Sequence, residues 1–129
     1  MNAQVLMKLA LIPFVVALAG CYREVSFKTD VHPILEARCI SCHSPGAPGC
    51  VASGFSVATY QSVMKGTRYG HVVIAGSSAA STLVRLINHE ADPSIAMPKS
   101  HTPGAPSEWL TPDQIKVIQE WIDQGAKDN

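Results

Sequence analysis

The 129-residue sequence predicts one small, mainly helical domain of about four helices. Three observations carry that expectation. Apolar residues recur at helical spacing in separated stretches: Val31, Ile34 and Leu35; Leu83, Leu86 and Ile87; Ile115, Ile118 and Ile122. Stretches dense in Gly, Pro and Ser divide them, as turn formers do. The length suffices for one hydrophobic core and is too short for two.

Residues 1–20 read as an export signal rather than as part of that core. Lys8 supplies the positive start, Leu9 to Ala19 the apolar run, and Leu18-Ala19-Gly20 the small-residue end. The run is shorter than the roughly 20 residues a membrane span needs. Cys21 follows at once. Leu-Ala-Gly-Cys resembles the lipobox of bacterial lipoproteins, which implies cleavage before Cys21 and a diacylglycerol on its sulfur. Removing residues 1–20 takes away one charged side chain, Lys8, and leaves 109 residues with 9 basic and 10 acidic groups. Such a chain lacks the basic excess that nucleic-acid binding requires, so no nucleic acid is expected as a partner. The expected organisation is a signal over 1–20, a lipidated start and tether over 21–29, and the domain over 30–129. A tether of that length reaches about 25–30 Å at most and keeps the domain near the membrane surface.

The first helix is expected from Asp30 to about Cys42, with Asp30 as N-cap and Pro33 in the tolerant first turn. His43 to Gly54 reads as loop. A short helix around Thr59 to Lys65 is closed by Gly66. β-Branched residues between Tyr69 and Ile74 suggest an extended stretch. Gly76-Ser77-Ser78 opens the third helix, which ends near Asn88, and Glu90 to Leu110 forms a second Pro-rich loop containing Met97-Pro98. In the last helix Thr111-Pro112-Asp113-Gln114 combines a capping box with Pro at the first helical position, and Gly125 ends it.

Cys39-Ile40-Ser41-Cys42-His43 is a c-type haem attachment signature. Near a helix end, residues three apart project to similar sides. Two thiols at that spacing add to the two haem vinyl groups, and the adjacent imidazole reaches the iron from the same side. One haem c is therefore expected, covalently held at Cys39 and Cys42, with His43 as an axial ligand. It also supplies apolar surface that a chain this short otherwise lacks. Other readings explain less. A thioredoxin-like pair belongs beside a βαβ pattern, a zinc site needs two more well-spaced ligands, and a Cys39–Cys42 disulfide leaves His43 without a role.

Met64, His71, His89, Met97 and His101 are the available donors for the sixth iron position. Met64 lies in a helical stretch and reads as core. Met97 is expected as the distal ligand, because its loop lies between two helices and can wrap to the opposite haem face; the three histidines stay open as alternatives.

Phe27-Lys28-Thr29-Asp30-Val31-His32-Pro33-Ile34-Leu35, the Cys39–His43 motif, Gly76-Ser77 through Leu86-Ile87, Met97-Pro98, and Leu110-Thr111-Pro112 through Trp121-Ile122-Asp123-Gln124-Gly125-Ala126 form one set. Together they resemble the planctomycete-type cytochrome c domain, a branch of the class I c-type cytochromes. The resemblance implies a small all-α domain packed around one covalent haem c, with His43 as proximal and Met97 as distal ligand. It does not account for Cys50, expected to be a free thiol.

A His–Met pair leaves no open position on the iron, and thioether ligation raises the reduction potential. The expected function is single-electron transfer between membrane-associated redox partners, not enzymatic turnover by this chain, which could still serve as a subunit of an oxidoreductase complex. A haem sensor or peroxidase-like enzyme with a labile distal ligand is the alternative. A third reading has Cys50 cross-linking copies of an interaction module. Export and lipidation imply the periplasm, and Tyr22 after Cys21, in place of Asp, points to the outer membrane. A backbone carbonyl near Pro45 or Pro48 is the expected acceptor for the second ring nitrogen of His43.

Overall fold

The computed structural model describes residues 23–99 and 109–129; Cys21 and His101 lie outside them. A π-helical turn, Phe27–Val31, leads into α1 (His32–Arg38), followed by α2 (Ile40–His43), α3 (Pro48–Ser53), α4 (Tyr60–Lys65), α5 (Thr82–Ile87) and α6 (Pro112–Asp123). The architecture is all-α. Among the described residues extended pairing is limited to an isolated bridge between Thr67 and Gly70.

The single long helix expected over 30–42 is three pieces. Ser26, not Asp30, caps its start, accepting from the Thr29 amide, while Asp30 reaches back to accept from the Ser26 amide at 2.8 Å. Cys39 then interrupts the helix with φ −126° and separates α1 from α2. Val25 and Phe27 are buried, so the packed unit begins ahead of Asp30, within the stretch expected to be tether. The loop expected over 43–54 contains α3, started by Pro48 in its first turn and stopped by Gly54 at φ 80°. The stretch 69–74 is no strand: Val72 and Val73 are both buried rather than alternating, and Val72 gives its carbonyl to the Leu83 amide.

α6 organises the core. Thr111 and Gln114 cap it reciprocally, and Ile118, Trp121 and Ile122 are fully buried on one face. The π-helical turn packs on that face. Phe27, Tyr60 and Trp121 meet there at ring separations of 5.3 Å for Phe27–Tyr60 and Phe27–Trp121, and 6.4 Å for Tyr60–Trp121. Their polar ends are satisfied: Tyr60 Oη donates to the Ala126 carbonyl at 2.8 Å and Trp121 Nε1 to Lys127 at 2.9 Å. Residues 23–28 form a strap stitched to the chain end. Val25 N donates to Gln124 Oε1, Phe27 N to Asn129 Oδ1, and Lys28 N and Ser26 Oγ both donate to the Asn129 carbonyl. With the π-helical turn held through Val31 and α1 through Leu35 against this core, the motif that follows is set on a rigid support.

Candidate haem site

α2 carries the chemistry-bearing motif on a single turn. Cys42 N and His43 N both donate to the Cys39 carbonyl, at 3.1 and 2.9 Å, and Ser44 N donates to Ile40, so Cys39, Cys42 and His43 are tied into one local frame. Cys39 is half-buried and packs against the core. Burial, reinforced by the neighbouring Cys42 and opposed by Arg38, pushes its thiol up to about 11, which keeps it protonated at neutral pH. Cys39, Cys42 and Cys50 form no disulfide among the described residues.

His43 is held from several directions. Its ring Nδ1 lies 3.1 Å from the Phe55 carbonyl, which can only accept, so Nδ1 carries the proton and Nε2 keeps a lone pair for a metal. Phe55, and not a carbonyl near Pro45 or Pro48, is therefore the acceptor. The Phe55 ring also meets the imidazole edge-on at 5.4 Å. Val57 N donates to the His43 carbonyl at 2.9 Å. On the remaining side α3 presses close. A Cβ on Gly49 would stand 2.7 Å from the Cys42 carbonyl oxygen and 2.9 Å from His43 Cε1, so only glycine fits. Ser53 holds this helix, its hydroxyl donating to the Gly49 carbonyl at 2.7 Å and accepting from Phe55 N at 3.1 Å.

Met97 arrives from the other side. Its amide donates to the Leu86 carbonyl at the end of α5, at 3.1 Å. The turn before it is fixed by Asp92, which accepts from Ser94 N through its side chain and from Ile95 N and Ala96 N through its carbonyl. Cys42, His43 and Met97 line one cavity of about 740 Å³, together with Gly49 and Ala52 of α3. That volume is in the range of small-molecule and cofactor pockets. The alternative donors Met64, His71 and His89 are not among its lining residues. Met64 packs against the core and gives its carbonyl to His71 Nδ1 at 2.8 Å. His89, at φ 56°, stacks on Trp109 with ring centroids 4.0 Å apart.

These residues fit a covalently held haem. Two thiols three positions apart precede an imidazole whose Nδ1 faces the Phe55 carbonyl, a thioether shares a cavity with Cys42 and His43 that Cys39 does not line, and a glycine lets α3 pack against the imidazole. Residues 39–101 match the planctomycete cytochrome C family model. The chain carries a planctomycete cytochrome C domain. It is also similar to the hydrazine synthase subunit alpha of Kuenenia stuttgartiensis, 29% identical over 127 residues covering 81% of this chain and 16% of that protein. The solved hydrazine synthase of the same organism aligns with a TM-score of 0.51 at 26% identity, again over 81% of this chain and 16% of the other. The chain thus spans about one sixth of the length of the relative it matches. Within this cytochrome C domain, Phe55 and Gly49 had no signal of their own in the sequence. Any residue could have supplied the Phe55 carbonyl, and Gly49 stood in a stretch whose glycines read as turn formers.

Proposed function

We propose that this chain is an exported, lipid-anchored monohaem c-type cytochrome that transfers single electrons between membrane-associated redox partners. One observation carries the reading: Cys42, His43 and Met97 line one cavity, with His43 Nε2 left free by the Phe55 carbonyl on Nδ1. In this reading Cys39 and Cys42 would hold one haem c through thioethers, and His43 and Met97 would be the ligands of its iron. When bound, the haem supplies a one-electron iron couple. The protein's part is to hold the ligands still. Phe55 fixes the His43 tautomer and ring plane, and Leu86 and Asp92 fix the loop that brings Met97, so that oxidation and reduction require little rearrangement. The name of its relative, a subunit of a synthase, supports a place in or beside a larger assembly. The small-residue end of residues 1–20 and Cys21 support export to the periplasm and anchoring there by lipid, and Tyr22 in place of Asp supports the outer membrane.

The optical spectrum of the oxidised, full-length holoprotein tests the reading. It should show the methionine-to-iron charge-transfer band, and the protein should stay in the membrane fraction unless Cys21→Ser releases it. Met97→Ala should keep the haem attached, lose the band and bind carbon monoxide. Strong carbon monoxide binding by the unmodified protein would sink the carrier reading in favour of a sensor or peroxidase-like role.

A further inference from the structure

The end of α5 carries an unusual residue at its stop. His89 N donates to the Leu86 carbonyl at 3.2 Å and Glu90 N to the Arg85 carbonyl at 3.0 Å, the paired bonds of a Schellman turn. Such a turn needs a left-handed residue between helix and loop, a place that glycine fills without strain and Asn fills next best. His89 fills it instead, at φ 56°, although Asn88 stands one position earlier at φ −80°. Its imidazole lies against Trp109, just ahead of the Thr111 cap of α6, with ring centroids 4.0 Å and planes 31° apart. His89 Nε2 is buried and has no hydrogen-bond partner among the described residues, so the stack, and not a polar contact at that atom, places the ring. Trp109 is exposed, so burial in the core does not account for its position either.

Met97 belongs to the same junction. Its amide donates at 3.1 Å to the Leu86 carbonyl, the oxygen that also receives His89 N, so one acceptor holds both residues. Along the chain Met97 lies between His89 and Trp109, and the two rings tie the start of that interval to its end. We propose that His89 and Trp109 are positioning residues for Met97: their stack pins the turn to which the Met97 backbone is anchored, and so sets how readily another ligand displaces the methionine sulfur. The inference rests on the reading of Met97 as an iron ligand and adds to it the device that holds the ligand in place. Neither ring is among the described residues that line the cavity, so the effect is mechanical rather than a contact with the cofactor. A ligand keeps its place only while its support holds it within about 0.5 Å of the productive geometry.

The test is a titration of the ferric, full-length holoprotein with imidazole, followed by loss of the methionine-to-iron charge-transfer band. His89→Gly removes the ring and leaves the turn the residue it favours, so Tm should hold while imidazole affinity rises roughly two- to tenfold, the range that a ring stack represents. Trp109→Ala should raise the affinity by a similar factor and Trp109→Phe should return most of it. The double variant should gain no more than either single one, because both remove the same interaction. Unchanged imidazole affinity in His89→Gly overturns the proposal, and so do effects that add in the double variant. His89→Gly decides the matter even if Trp109→Ala does not fold. An unmodified protein that carries haem but lacks the charge-transfer band is a different failure: it removes Met97 as a ligand, and this inference with it.

Discussion

Gly49 is fixed in type by its neighbours rather than by its backbone angle. An added methyl would have to displace the Cys42 carbonyl and the His43 ring, both closer than 3.0 Å to where it would sit. Gly49→Ala should therefore cost about 1–3 kcal/mol, as overpacking does, and should disturb the imidazole along with the stability. Thermal unfolding gives the first effect; loss of low-spin character in the visible spectrum of the holoprotein gives the second. A variant that unfolds earlier yet keeps an unaltered spectrum would show that α3 supports the fold without positioning the ligand. Cys50, beside it, shows how little a residue type says alone. It is half-buried in the same helix and is not among the residues that line the cavity.

Helix ends were legible where side chains make them and illegible where the backbone does. The Thr111–Gln114 capping box and Pro112 announced α6, and α4 lies where the short helix around Thr59 to Lys65 was expected. α3 went unseen because Pro48-Gly49 is equally a turn signal; Pro at its start and Gly54 just past its end were the cue that distinguishes a helix from a loop. The break at Cys39 had no cue, since nothing in an Arg-Cys-Ile sequence demands a change of φ. Thr111→Ala should lower stability by about 1 kcal/mol through loss of one capped amide. In a domain near 100 residues that is a fall in Tm of roughly 4–8 °C, measurable by calorimetry. An unchanged Tm would mean that packing of Ile118, Trp121 and Ile122 alone holds the helix.

The molecule as a whole is closed by its strap. The sequence marked the cofactor motif and Met97 from chemistry and topology, but assigned residues 21–29 to a tether, because a short stretch of mixed polarity has no periodicity to betray burial. Val25 and Phe27 are nevertheless core, and Asp30 locks the turn that follows. The Ser26 amide holds the Asp30 carboxyl below its ordinary value, against the effect of partial burial and with help from the Arg23 guanidinium. A depressed folded-state value stabilises above the unfolded one, about pH 4, and that contribution is lost as pH falls through the folded value. Urea midpoints of the unmodified protein and Asp30→Asn should thus differ near neutrality and converge in acid. A gap that persists at low pH would assign the difference to packing and not to charge.

The hydrogen bonds that join Ser26, Phe27 and Lys28 to Asn129 bring the two ends of the folded unit to one spot. A domain whose entry and exit coincide is modular. It can be spliced into a surface loop of a host protein, which leaves and resumes its own path at nearly the same point and feels little strain. The same adjacency makes circular permutation feasible, with a short linker across the junction and new ends opened in an exposed loop such as that around Tyr69.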